Sequence, residues 1–164
     1  MASPKAQIEQ RIRDLMIAES DFDSLNYIIR GFPYLVPEAW FPIAQILIPS
    51  ESTISEQTGL NIREYVGFIR FDFRMQDNPQ ITGRKVDLPS YLSVEEMVNA
   101  AVQFFRQLSN RKLNNLLESG VWAVRDFELG SEAEYGLDSR VRENNFENYG
   151  LTPFRCETQE VKTA

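Results

Sequence analysis

The sequence contains no histidine and only one cysteine among its 164 residues. Histidine is the most common general base and zinc ligand, and without it the chain cannot form Ser-His or Cys-His nucleophilic pairs. Glycine-rich phosphate loops of the Gly-x-Gly-x-x-Gly or Walker type are also missing. Most enzyme classes therefore lose their usual sequence support. We predict a protein that is not an enzyme, with no catalytic, cofactor-binding or metal-ligating residues.

Positive charge is also scarce. Lysine and arginine number 17 against 24 aspartates and glutamates, which gives a net charge of -7. Binding to nucleic acid depends on neutralising phosphates with surplus cations, so sequence-specific nucleic-acid binding is not expected.

The apolar-rich segment 35–49 contains three prolines, Glu38 and Gln45, and it is too short and too interrupted to span a bilayer. The polar N-terminus lacks a signal-peptide pattern. We expect a soluble protein without a membrane partner.

The lone cysteine, Cys156, permits no internal disulfide, which is typical of a protein made in a reducing cytoplasm. It falls in an alternating segment and no histidine is present to activate it. We interpret it as a small apolar strand residue rather than a nucleophile.

The hydrophobic fraction of 43% is enough to form a core, and its spacing predicts the elements. Ser3 and Pro4 start a helix over Pro4–Ala18, and Leu25–Ile29 is expected to add one helical turn. The apolar stripe of the first helix consists of Ile8, Ile12, Leu15 and Met16.

Two strands are predicted next. Trp40–Ile48 is apolar on both alternating faces, as in a central strand, and the polar segment Pro49–Gly59 is expected to form a turn. Asn61–Met75 alternates more clearly, and its second face, which includes Arg70 and Asp72, is predicted to be solvated.

The second half adds one helix and two strands. Ser93 and Glu96 form the Ser-x-x-Glu pattern of a capping box, which predicts a helix beginning there. Val121–Leu129 and Tyr149–Val161 alternate as strands, and Pro153 predicts that the last strand lies at an edge or pairs only beyond that proline.

These elements predict an α+β fold in a single domain over residues 1–164, in the order α-β-β-α-β-β. A small two-layer arrangement is expected, in which an N-terminal helix and a central helix pack on a mainly antiparallel sheet of about four strands. Two polar segments, at about 76–92 and 130–148, are too long for ordinary connections, and we predict that they are loops or arms that contact partners.

Six residues in these two segments are candidates for subunit or partner contact. Arg84 and Lys85 at a loop tip could meet an acidic partner, or could simply be solvated, and the same choice applies to Arg140 and Arg142, which have acidic neighbours. Tyr135 and Phe146 complete the set. Trp40 and Trp122 are interpreted as core or interface anchors.

The order and length of these segments resemble one known family. WFPIAQILIP, NIREYVGFIRFDFRM, SVEEMVNAAVQFF, VWAVRDFEL and NYGLTPFRCETQEV, preceded by an amphipathic helix, resemble the tail terminator, or tail-completion, proteins of tailed bacteriophages from about Ile8 to Val161. The resemblance is one of architecture, so no functional residue is transferred from the family.

The resemblance implies a homo-oligomeric ring, usually a hexamer, located in the tail or neck of the virion. Such a ring caps the tail tube, binds the tail tube protein and a neck or connector protein, and needs no cofactor. DNA would pass through the ring without sequence-specific contacts. Two alternatives stay open: a different head–tail connector or neck protein, and a cytoplasmic adaptor that binds proteins. A carboxylate-based enzyme is a more distant alternative.

Overall fold

The structure is a computed structural model that describes residues 3–31, 36–57, 60–75, 87–113, 117, 122–130, 132–139 and 146–161. The elements follow in the order α1 (Pro4–Ala18), β1 (Tyr27–Arg30), β2 (Ile43–Gln57), β3 (Leu60–Arg74), α2 (Pro89–Arg106), α3 (Leu108–Arg111), β4 (Trp122–Leu129), β5 (Glu134–Asp138) and β6 (Glu147–Glu160).

All six of these strands belong to one sheet in the order β1-β2-β3-β6-β4, and β5 also pairs with β6. Because β3 pairs along almost the whole of β6, β4 and β5 share the other side of β6 and together form one edge of the sheet. The β1–β2 pair is parallel and the other pairs are antiparallel. The predicted α+β class is confirmed, with six strands in a mixed sheet rather than about four.

The main core lies between the two long helices and one face of the sheet, which we call the helix face. Ile8, Ile12 and Met16 of α1 are fully buried there, and the stripe of α2 packs beside them. Alternation places Ile46 and Phe71 on the helix face, and Gln45 and Asp72 on the opposite face.

The first helix is confirmed at Pro4–Ala18, and the side chain of Ser3 caps it by accepting a hydrogen bond from the Ala6 amide at 3.2 Å. The helical turn predicted over Leu25–Ile29 is wrong. Strand β1 forms there instead, because β2 offers a parallel partner and the Asn26 amide donates to the Pro42 carbonyl at 2.8 Å. Tertiary pairing overrides the local pattern at this point.

Strand β2 begins later and ends later than predicted. Trp40 lies in a short 3-10 helix, and the strand starts at Ile43. The segment Pro49–Gly59, predicted as a turn, continues the strand as far as Gln57, because β3 pairs with it through two register shifts. Polar residues are tolerated in this stretch because the hydrogen bonds of the ladder do not depend on side-chain polarity.

The second helix begins at Pro89, one turn before the predicted capping box. Leu88 occupies the cap position without a side-chain hydrogen bond, and Pro89 takes the first turn, where its missing N–H costs nothing. Ser93 and Glu96 therefore lie inside the helix, and the predicted start is wrong. Its buried apolar residues include Met97, Val98, Ala101, Phe104 and Phe105.

Strand β6 is central, which corrects the edge position predicted from Pro153. The Gly130 amide donates to the Pro153 carbonyl at 2.7 Å, so the nitrogen of this proline faces the β4–β5 edge. That edge is interrupted between Leu129 and Glu134, opposite the proline. The missing N–H of Pro153 therefore falls at a break in the neighbouring strand rather than at the edge of the sheet.

The predicted loop or arm at 130–148 is partly ordered into the sheet, since Glu134–Asp138 forms β5. Strand β4 matches its predicted range closely, but a register shift between Val124 and Asp126 buries both Val124 and Phe127 on the helix face. The strict alternation read from the sequence had put these two side chains on opposite faces, and the bulge corrects it.

Cys156 is fully buried on β6, as expected for an apolar strand residue, and burial raises the pKa of its thiol. We expect Ellman's reagent to label it only when the chain unfolds, with native protein reacting orders of magnitude more slowly than urea-unfolded protein. Because the folded state holds the raised pKa, stability should fall as the pH rises above the ordinary thiol value of about 8.5. Rapid labelling of native protein at pH 8 would contradict this burial.

Candidate subunit interfaces

A group of exposed apolar side chains lies at the β5 edge of the sheet. We call it the β5 patch: Tyr91 and Leu92 in the first turn of α2, Tyr135 and Leu137 on β5, and Phe146 just before β6. The rings of Tyr91 and Tyr135 lie 5.9 Å apart. Several exposed apolar side chains near one sheet edge are a common mark of protein–protein contact.

The β5 patch forms because α2 approaches β6 closely. A side chain on Gly150 would collide with Val94 and Val98, at 2.5 Å and 2.9 Å from their methyl carbons. The Asn148 side-chain amide also donates to the Ser90 hydroxyl at 2.5 Å. These contacts hold the start of α2 beside β5.

The phenol of Tyr135 is partly shielded from solvent at the contact between α2 and β5. Burial raises the pKa of Tyr135, and the nearby charge of Glu95 raises it further, followed by Tyr91. Glu95 follows Tyr91 by one helical turn on the same side of α2, which places a negative charge beside the β5 patch.

A second exposed aromatic pair lies at the opposite edge of the sheet. We call it the β1 patch: Tyr27, the first residue of β1, is 49% exposed, and Trp40 is 36% exposed, with ring centroids 5.3 Å apart. The Asn26 side chain donates to the Phe41 carbonyl at 2.6 Å, and this hydrogen bond ties β1 to the segment carrying Trp40.

The two patches lie at the same level of the sheet. Pairing connects one row of residues across five strands, and it runs Tyr27, Ile43, Asp72, Tyr149, Gly136. Tyr135 and Leu137 flank the last member of this row. With strands about 4.8 Å apart, the two edges are separated by about 19 Å.

A buried charge network supports this row from the opposite face. The Arg70 guanidinium donates to Asp72 at 2.9 Å and to Asp138 of β5 at 2.7 Å, and it lies 3.7 Å from Glu147. The Gln45 amide donates to the second oxygen of Asp72 at 2.7 Å.

This network corrects the prediction that Arg70 and Asp72 lie on a solvated face, because both are buried. Burial alone would lower the pKa of Arg70, but Asp72 and then Asp138 outweigh it and raise the pKa. The Tyr149 ring covers the guanidinium at 4.0 Å. Through this arginine, β5 is fixed to the centre of the sheet.

Two clefts flank α2. One of about 490 Å³ has an apolar floor that includes Phe105 and Phe127, and Arg111 at its rim pairs with Asp126 at 3.0 Å. The other, of about 540 Å³, lies between Ser20 and Glu96.

Across the part of the chain that the structure describes, no three His, Cys, Asp or Glu side chains come together as they would to hold a metal ion.

The predicted contact residues divide into two groups. Tyr135 and Phe146 both belong to the β5 patch and are 37% and 50% exposed. Arg84, Lys85, Arg140 and Arg142 lie outside the described residues, as does most of the predicted arm at 76–92. Leu92 and Leu137 stand in the two predicted arms but were not named among the contact residues, and Tyr27 stands in the segment predicted as a helical turn.

Comparison with known proteins gives no family for this chain: no protein-family model matches it, and no curated protein resembles it significantly. Among the described residues, no helix is long and apolar enough to cross a membrane.

Proposed function

We propose that this protein is a non-enzymatic structural subunit that assembles head to tail into a closed ring. We further propose that the ring is the tail terminator of a tailed bacteriophage, usually a hexamer in that family. In this role it caps the tail tube and joins it to a neck or connector protein. Its partners are then a second copy of itself, the tail tube protein and the neck protein.

One observation carries the ring proposal: the β1 patch and the β5 patch are different surfaces at opposite sheet edges on one row. A two-fold dimer would use one self-complementary surface, whereas a ring requires two non-identical surfaces that meet repeatedly. Two different surfaces at opposite edges allow copies to meet head to tail, and such a contact forms a ring when its repeated rotation closes.

The virion role rests on the resemblance of the sequence segments to the terminator family and on the acidic composition. Strands β1 and β5 are additions to the element order on which that resemblance is based. A net charge of -7 is compatible with a ring lumen through which DNA slides without sticking. The partner assignments follow from this role and have no separate support from the two patches.

Light scattering on a size-exclusion column across a concentration series tests the proposal, with negative-stain images of the peak. A ring near six times the chain mass of 19.0 kDa is expected. A ring of another order would replace the terminator by a different neck protein. A monomer at every concentration would contradict assembly into a ring.

A matched pair of variants tests whether the β5 patch holds the ring. Leu137 and Ile17 are both 59% exposed, but Ile17 lies on α1 and is not among the residues that define the two patches. Leu137→Lys should convert rings to monomers, because it would bury a charge in the interface. Ile17→Lys should leave the rings intact. Circular dichroism and urea midpoints would establish that both variants fold, and equal assembly of the two would exclude the β5 patch as an interface.

A further inference from the structure

We propose that the ring is closed by main-chain pairing, with β5 of one subunit adding antiparallel to β1 of the next, so that the sheet continues across the interface. This inference rests on the ring proposed above and specifies its contact. Tyr27 of one copy would then lie opposite Gly136 of its neighbour, and Ile29 opposite Glu134.

The two edges have the geometry that such pairing requires. Strand β1 has four residues and β5 has five, and within the described part of the chain no further strand pairs with the outer side of either. Following directions across the sheet, β1 is parallel to β2, and each later step to β3, β6 and β5 reverses direction. Strand β5 therefore runs antiparallel to β1 within one subunit. The same relation holds between β5 of one subunit and β1 of the next when both subunits have the same orientation.

Side chains on the face opposite the helices are complementary at this contact. Gly136 presents no side chain, and the Tyr149 ring lies over it: a Cβ at Gly136 would be 2.8 Å from the Tyr149 hydroxyl. The incoming Tyr27 would fill the space next to that ring. Trp40 packs on Tyr27 in one copy, and Arg70 lies over Tyr149 in the other. The contact would join these two pairs into one stack of aromatic and guanidinium groups.

Charge is complementary on the helix face. Arg30 at the end of β1 has a 35% exposed side chain that reaches Glu9 at 3.2 Å. In the proposed register it would lie beside Tyr135 and its acidic neighbour Glu95. The β1 edge of one copy thus presents a cation to the Glu95 carboxylate beside the β5 edge of the next copy.

Disulfide trapping tests this contact. Cys156 is buried, so it is not expected to form disulfides in the unsubstituted protein. The single variants Ile29→Cys and Glu134→Cys would be purified separately, mixed and oxidised. We expect covalent dimers only in the mixture, and the double variant should give a ladder up to the complete ring. A head-to-tail interface brings the two different positions together and keeps identical positions apart.

Glu128→Cys is the matched control for Glu134→Cys. Glu128 is also an exposed glutamate on the same sheet edge, but its partner on β6 is Arg155 rather than Leu151. It therefore lies about 13 Å further along the edge, beyond disulfide reach. Trapping through Glu128, or between identical single variants, would overturn the proposed pairing.

Light scattering of the same samples separates the two proposals. Rings without trapping of Ile29→Cys to Glu134→Cys would refute the β5–β1 contact while leaving the ring itself intact. Absence of any assembly in the unsubstituted protein would refute the ring, and the contact with it.

Discussion

Replacing Arg70 by methionine is expected to destabilise the fold by about 3–5 kcal/mol. The substitution keeps most of the side-chain volume but leaves the carboxylates of Asp72 and Glu147 buried without the cation that they surround. Losing one partner of a buried ion pair is costly because the remaining charge has lost its counter-ion in a place where water does not replace it. Urea unfolding followed by circular dichroism measures the change at a fixed protein concentration.

Arg155→Met is the matched control for this prediction. Arg155 also bridges two carboxylates, Glu64 at 2.6 Å and Glu157 at 2.5 Å, but its side chain is 53% exposed. Solvent already screens these charges, so the urea midpoint should hardly change. Arg70→Lys should fall between the two, because lysine keeps the charge but cannot form the forked contacts to Asp72 and Asp138. Equal midpoints for Arg70→Met and Arg155→Met would refute the role of burial.

Gly67→Ala is expected to cost about 3 kcal/mol, at the upper end for overpacking. A Cβ at this position would collide with the Leu47 carbonyl oxygen and would lie 2.7 Å from the Phe154 ring. The register shift between Leu47 and Ser50 brings the backbone of β2 toward this glycine, so relief requires moving a strand rather than rotating a side chain. The same urea measurement tests it.

Gly31→Ala provides the comparison, since it tests backbone conformation without crowding. Gly31 has a φ of 96°, and a Cβ there would meet nothing within 4 Å. The cost should be about 1–2 kcal/mol, from strain at positive φ alone. A Gly67→Ala variant no less stable than Gly31→Ala would mean that the strands shift easily, contrary to the close contact described.

The order of helices and strands follows largely from local patterns. The first helix, β3, β4 and β6 have spacings of apolar residues that only one type of element satisfies, and Ser3 marks a helix start that needs no tertiary information. The sequence also indicated two of the exposed aromatic residues of the β5 patch, Tyr135 and Phe146, because they stand in a polar segment with few core positions.

Sheet neighbours decided what local patterns could not. Strand β1 exists because β2 lies beside it, and the polar end of β2 is extended because β3 pairs with it. Pro153 could enter a central strand because β4 and β5 leave a break opposite it, which depends on residues far away in the chain.

The sequence by itself determined which function classes its composition disfavours, the main helices and strands, and the α+β class. These depend on residue type and short-range spacing. Only the tertiary structure decided that Arg70 and Asp72 are buried and that Tyr27 and Gly136 share a row at opposite edges. The physical reason is that burial and register depend on which strands become neighbours, and long-range pairing selects those neighbours.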